Sequence, residues 1–335
     1  MAGLYERDMS LKVAEVGDTI FIAQSDKVPF SRLLKRGKKP DNMLSSWPVQ
    51  VYPDRGFVGT LDGSDMETFE HTNRESIAAY AMWLRTKGWM VTRLANLTKT
   101  YGVKGKEQSK QAKDDGLILA KMIERQLLSD NEMAVESGQT PYCSRGAFKW
   151  LDPAEQAVNP VPANYRPDAA CAYTGALADF KPTSMETMLE AAATQKNEAV
   201  DLTGYVAIKL KTCMSGWAQK HVEDVNTAQA LTRYNLDAED KKLIRVVDFF
   251  EFDAGAVKVF PTWNLLHTAA TGARTANSLR SGLFLDMDMW ELCFLDNPAS
   301  YLEPPKSGGP RGYHDAVYLL KCLNPTGQCY ANIAA

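Results

Sequence analysis

Two aspartates set two residues apart are the nearest this chain comes to a catalytic pair. Asp286 and Asp288 lie in the alternating run Leu285-Asp286-Met287-Asp288-Met289-Trp290. Read as a strand, the alternation turns both carboxylates to one face. There they could hold a divalent cation or divide acid and base roles between them. A solvated strand face explains the same pattern completely. The four histidines, His71, His221, His267 and His314, stand far apart, and none has a second histidine or a cysteine pair at ligand spacing. The six cysteines (Cys143, Cys171, Cys213, Cys293, Cys322 and Cys329) are scattered, and the closest two, Cys322 and Cys329, make no C-x-x-C knuckle. That usage predicts free thiols in a reducing compartment.

Sharper signatures are missing. The sequence has no G-x-x-x-x-G-K-[ST] phosphate loop, no G-x-G-x-x-G after a strand, no G-x-S-x-G elbow and no H-E-x-x-H helix. Asn96-Leu97-Thr98 matches a glycosylation sequon. The N-terminal run Met1–Val13 lacks the basic stretch and apolar core of a secretory leader, so the match carries no expectation. No stretch approaches the ~20 apolar residues of a membrane span. No motif points to catalysis, and the expectation is no cofactor, no metal and no membrane partner.

What remains is associative chemistry. The run Arg32-Leu33-Leu34-Lys35-Arg36-Gly37-Lys38-Lys39 holds five basic residues in eight. The whole chain carries a net charge of −3, from 38 basic and 41 acidic residues, so it is no general nucleic-acid binder. Arg32, Lys35, Arg36, Lys38 and Lys39 are electrostatic contact candidates, facing either phosphates or a neighbour's carboxylates. A solvated loop is the plain alternative. Phe30, Trp47, Tyr52 and Phe57 lie around this run. Bases could stack on them, but packing in a core or between subunits is favoured, because aromatics are enriched at interfaces.

The elements that must carry these residues come next. A chain of 335 residues with 45% hydrophobic and 24% charged residues is globular, and long enough for one large or two packed domains. Residues 1–28 read as a loose arm. Pro29, Pro40, Pro48 and Pro53 make residues 29–60 extended, with strand alternation at Trp47, Val49 and Val51 and a turn region at Gly56–Gly63. Ser76–Leu84 slightly favours helix through Ala78, Ala79 and Ala81; Trp89–Leu97 stays unassigned. Glu107–Asp130 is a long helix whose single stripe, Ala112, Gly116, Leu119, Ile123 and Leu127, predicts packing on a sheet. Gly116 in that stripe predicts a close approach. Residues 138–182, with six of the sixteen prolines, read as a long irregular crossing and a domain transition. Thr183–Lys196 is a helix with Thr183 as cap and Glu186 at the capping-box position. Leu202–Leu210 is a strand and Cys213–Val222 a helix. Leu243–Phe252 and Ala256–Phe260 form a hairpin about Asp253-Ala254-Gly255. Ala316–Leu323 and Cys329–Ile333 form a second candidate pair. The sum is an α+β chain.

The order of these segments resembles a branch of the tailed-bacteriophage major capsid proteins. Val28-Pro29-Phe30, the Lys35–Lys38 region and Ser46-Trp47 come first. Asn73-Arg74-Glu75-Ser76, Tyr101-Gly102-Val103 and a helix ending Lys121-Met122-Ile123-Glu124-Arg125-Gln126-Leu127-Leu128 follow. Next come Ser144-Arg145-Gly146-Ala147-Phe148-Lys149-Trp150, then Phe252-Asp253-Ala254-Gly255 with Val257 and Val259, then Leu285-Asp286, and Tyr318-Leu319 with Asn324. The likeness covers most of residues 28–333 and rests on order and spacing. It implies a Johnson-type capsid fold: an N-terminal arm (1–28), an extended loop (29–75), a peripheral domain (76–182) with a spine helix at 107–130, an axial domain (183–300), and C-terminal strands (301–335) returning to the peripheral domain. It departs from the family in lacking a long charged helical extension at the front. The implied function is a major capsid subunit that self-assembles into hexamers and pentamers of an icosahedral shell around phage DNA. The implied partners are copies of itself, packaged double-stranded DNA, and portal, scaffold and cement proteins. The implied location is the virion capsid, with the host bacterial cytoplasm before assembly. Phe30, Trp47, Tyr52 and Phe57 become candidates for contacts between subunits. The rival readings are an encapsulin-like cargo shell and a soluble enzyme with a carboxylate site at Asp286 and Asp288.

Overall fold

A computed structural model describes residues 28–52, 59–65, 71–72, 74–98, 106–217, 220–223, 230–233, 235–237, 242–244, 247–265, 277–306 and 308–333. The expected arm, apart from Val28, and Phe57 lie outside the described residues. Two compact units emerge. One gathers Arg85–Leu119 with Ala299–Asp315; the other gathers Val28–Leu84, Ala120–Pro298 and Ala316–Ala335.

The larger unit is organised around a six-stranded sheet. Its order is Phe249–Phe252, Gly255–Pro261, Val200–Val206, Gly282–Leu285, Cys329–Ala331, Ala172–Tyr173. Val200–Val206 is central. It runs parallel to Gly255–Pro261 and antiparallel to Gly282–Leu285. Its burial is nearly continuous, as a strand covered on both faces requires. The helices Pro182–Lys196 and Ile208–Gly216 supply Met185, Met188, Leu189, Leu210 and Met214 to the core beneath Val200, Leu202, Val257 and Phe284. Gly204 keeps this layer tight, since a Cβ there would come 3.0 Å from the Phe284 ring.

Several boundaries differ from the sequence expectation. Pro29 begins a short helix, Pro29–Leu33, rather than extended chain, because proline suits a first helical position. For the same reason Pro182, not Thr183, starts its helix, and Ser184 rather than Glu186 reaches back, accepting from the Lys181 N–H at 3.5 Å. The strand expected to reach Leu210 stops at Val206, and the next helix starts at Ile208. The hairpin about Asp253-Ala254 is present. The last expected pair is not: Gly309–Cys322 and Cys329–Ala331 belong to different sheets. Between them the wholly buried Gln328 accepts from Trp290 Nε1 at 2.5 Å and donates to Asn324 O at 2.7 Å, carrying the chain from one sheet to the other.

A hairpin of Leu44–Gln50 and Arg74–Tyr80 also belongs to this unit, with Trp47 opposite Ile77 and Ser45 opposite Ala79. Strands therefore replace the helix favoured over Ser76–Leu84. The alanines serve close packing instead: Ala79 and Ala81 are fully buried, so tertiary context overrides their helical propensity. Lys35–Arg36 lies parallel to Glu291-Leu292 at the edge of a second sheet, followed in order by Trp290–Lys306, Gly309–Cys322 and Met82–Arg85.

The long helix is continuous over Glu107–Leu127, about 31 Å at 1.5 Å per residue. Leu119, Ile123 and Leu127 are buried, Ala112 and Gly116 half-buried, and Lys113 exposed. In the smaller unit Gly116 faces His314, where an added Cβ would sit at an ordinary contact distance of 3.6 Å; no close approach demands glycine. Asp115 on the next position accepts from Thr86 Oγ1 at 2.6 Å and lies 2.8 Å from His314 Nδ1. Trp89–Met90 pairs with Arg311 and Gly312, and Arg93–Leu97 is a short helix capped by Thr92.

Candidate functional site

The carboxylate pair does not form a site. Asp286 ends a strand and caps a 3-10 turn, Met287–Met289, by accepting the Asp288 N–H at 3.0 Å. The expected alternation therefore fails, because the chain turns within it. Each carboxylate has its own lysine: Lys196 Nζ lies 2.6 Å from Asp286, and Lys35 Nζ lies 2.7 Å from Asp288. The hydrogen bond from Lys35 holds the Asp288 carboxyl below its usual range, and the same bond raises Lys35. Among the described residues no three metal-ligating side chains gather.

The basic run is divided by the structure. Lys35 is committed to Asp288, and the Arg36 guanidinium lies 4.6 Å over the Phe294 ring. Gly37 donates its N–H to Leu292 O at 3.2 Å, and a Cβ there would collide with Cys293 and Glu291, so the run is pressed onto its neighbour strand. Arg32, Lys38 and Lys39 remain exposed beside it.

The aromatic candidates divide too. Phe30 is fully buried, edge-on to Tyr205 at 5.1 Å and to Trp290 at 6.5 Å. Trp47 is buried against Trp150 at 5.9 Å, with Lys321 Nζ 5.2 Å from its ring. Both are core residues of their own chain, not contacts left open for a neighbour. Of the two packings the sequence left open for them, these two aromatics take the core. Tyr52 is the described aromatic that stays outside, 82% exposed, with Leu61 at 84% on the same hairpin connection.

Two fully buried ionisable residues, Glu124 and Arg145, escaped the sequence reading. Glu124, on the long helix, is fully buried and accepts from the backbone N–H groups of Phe30 at 2.9 Å and Ser31 at 2.7 Å. Burial pushes its carboxyl up, against those two donors. Its signal was available: Ala120, Leu127 and Leu128, at i−4, i+3 and i+4, make its helical face apolar. Arg145 is also fully buried. It pairs with Glu132 at 2.9 Å, donates to Val158 O at 2.7 Å, and stacks 4.7 Å over Trp150. It pins the proline-rich crossing, whose irregular backbone is thereby ordered without long elements.

In the smaller unit a cleft of about 540 Å³ is lined by Leu97, Leu302, Pro305, Arg93, Lys106 and Arg311. Arg311 is held by Glu303 at 2.8 Å. This cleft sets exposed apolar side chains beside cations, a surface that suits association. No described helix is long and apolar enough to cross a membrane.

Comparison with known proteins agrees with this picture. The family model described as SU10 major capsid protein matches residues 5–314. Among solved structures, the capsid of a native GTA particle aligns with a TM-score of 0.61 at 11% identity, over 98% of both chains. The capsid of the cyanophage P-SCSP1u aligns with a TM-score of 0.60 at 12% identity, over 99% of this chain and 95% of that one. Mycobacterium phage Bobi gives 0.60 at 11% identity, over the full length of both. At these identities the likeness establishes the fold: α+β, of the Johnson capsid type. No curated protein sequence matches the chain.

Proposed function

Because this chain belongs to the SU10 major capsid protein family, and is accordingly a structural, non-enzymatic subunit of a self-assembled phage shell, we propose that it forms the hexamers and pentamers of an icosahedral capsid enclosing double-stranded DNA. Residues 1–28 act as the arm, 29–75 as the extended loop, 76–182 as the peripheral domain with Glu107–Leu127 as its spine, 183–300 as the axial domain, and 301–335 as the returning strands. Portal, scaffold and cement proteins complete the set of partners, and assembly takes place in the bacterial host's cytoplasm.

One observation carries the reading of how copies meet. The connection of the Leu44–Gln50/Arg74–Tyr80 hairpin leaves Tyr52 and Leu61 in water, although the same hairpin buries Trp47 and Ile77. Leaving two large apolar side chains exposed is unfavourable by roughly 1.5–3 kcal/mol each relative to burial, and a neighbouring copy offers the surface that would bury them. Arg32, Lys38 and Lys39 add charge for a neighbour's carboxylates or for DNA.

Expression followed by negative-stain microscopy tests this. Shells are expected from the native chain. Tyr52→Asp with Leu61→Asp should abolish shells while leaving subunit unfolding unchanged; shells formed in undiminished yield would refute the contact. Nuclease-protected DNA inside particles made in infected cells supports the genome-enclosing reading, and protein cargo alone would overturn it.

A further inference from the structure

The edge of the six-stranded sheet carries two buried cysteines. Its last strand, Ala172–Tyr173, is held to Cys329–Ala331 by only two paired positions, Ala172 with Tyr330 and Tyr173 with Ala331, in parallel. Cys171 closes the 3-10 turn Ala169–Cys171 and Cys329 opens its strand, each one residue before the first pair, so the two stand beside each other. Both side chains belong to the same apolar core cluster, at 1% and 0% exposure. All six cysteines are free thiols. Residues opposite each other on neighbouring strands fall within the Cα separations that a disulfide spans, about 4.4–6.8 Å.

We propose that Cys171 and Cys329 are an oxidisable dithiol, a modification site at which peroxide joins two core thiols and ties the C-terminal strand to the sheet edge. The two neighbouring thiols are unequal, and Cys171 donates to Gln195 Oε1 at 3.9 Å. The nearby Cys329 thiol lowers the Cys171 thiol against the opposing effect of burial, whereas Cys329 is raised well above the usual range. Cys329 also donates to Met188 O at 3.3 Å, which fixes its sulfur. Cys171 is therefore the nucleophile and Cys329 the resolving thiol. The Cys171 thiolate attacks one oxygen of hydrogen peroxide, the O–O bond breaks, and hydroxide leaves with a sulfenic acid formed on Cys171. Cys329 sulfur then displaces the hydroxyl of that sulfenic acid, forming the S–S bond and, with the thiol proton, water. In sum two thiols and one peroxide give one disulfide and two waters. Two electrons pass from sulfur to peroxide oxygen. Access comes through local opening of the short edge pairing, the weakest in the sheet.

The test uses the native full chain and does not depend on shell formation. Protein treated with hydrogen peroxide is unfolded under non-reducing conditions with an alkylating agent, digested and mapped by mass spectrometry. A linked Cys171–Cys329 peptide, two hydrogens lighter than its parts and released by reductant, is expected. A rise of ~5 °C in the unfolding midpoint, reversed by reductant, should accompany it. In Cys329→Ser the sulfenic acid has no resolving partner, and Cys171 should be trapped by dimedone. Full alkylation of Cys171 and Cys329 after peroxide treatment, or a bridge joining other cysteines such as Cys143 or Cys213, overturns the proposal. If Cys329→Ser does not fold, the native peptide map alone decides.

Discussion

Glu124 accepts a hydrogen bond from the backbone N–H of Phe30 at 2.9 Å, across 94 residues of sequence. A second bond, from the Ser31 N–H at 2.7 Å, completes a two-pronged grip on the first turn of the helix Pro29–Leu33. A buried carboxylate here does the work of an N-cap, satisfying donors that a short helix leaves open. It also seats Phe30 against Tyr205 and Trp290, and so fixes where the chain leaves the core toward the hairpin.

Glu124→Ala should leave both N–H groups unpaired, that of Phe30 buried, and cost roughly 2–4 kcal/mol of subunit stability in urea denaturation. A change below ~0.5 kcal/mol would refute the anchor. Its titration gives a second test. The folded-state carboxyl is raised by burial, so its contribution to stability is fully present below the ordinary glutamate value and is lost as pH rises through the raised value. Glu124→Gln cannot ionise, and its stability should therefore fall less than the native chain's as pH rises above the ordinary glutamate value. Parallel pH profiles would overturn the assignment.

Trp47 belongs to its own subunit's core. Trp47→Ala should lower the stability of the unassembled subunit by ~3–5 kcal/mol, and Trp47→Phe by less than ~1.5 kcal/mol, since its indole N–H has no partner to lose. An alanine variant of native stability that fails only in assembly would return this residue to the interface.

Arg145 should tolerate little. Arg145→Met removes the partner of Glu132 and the donor to Val158 O, with an expected loss of roughly 3–5 kcal/mol. Arg145→Lys should recover less than half of it, because a point charge cannot reproduce the guanidinium fork. Thermal unfolding of both variants checks this.

Gly116 sits inside the long helix with space for a methyl group beside His314. Gly116→Ala should stabilise the subunit by up to about 1 kcal/mol, read as a higher denaturation midpoint. Destabilisation would mean that the site is tighter than its 3.6 Å contact implies.

Lys38 and Lys39 are exposed. Replacing both with Gln should change subunit stability by no more than ~0.5 kcal/mol, yet make assembly less sensitive to salt, because fewer screened charges take part. An unchanged salt response would remove these lysines from the assembly surface.

Local pattern alone determined a good part of this protein. The spacing of four between Leu119, Ile123 and Leu127 marks the long helix. The alternation around Trp47 marks its strand, and Asp253-Ala254-Gly255 marks a hairpin. Each depends on residues near one another in the chain. The order of segments also carried the family resemblance. What the sequence could not settle depends on distant partners. Ala78, Ala79 and Ala81 are good helix formers, and only the facing strand Leu44–Gln50 makes them a strand. Asp286 and Asp288 read as a pair until Lys196 and Lys35, remote in sequence, claim one each. The apolar face around Glu124 hints at burial, but its partners, the amides of Phe30 and Ser31, lie more than ninety residues away in the chain. Burial and pairing are set by whatever packs opposite, and propensity carries no information about that; tertiary structure therefore decided which aromatics form the core and which stay exposed.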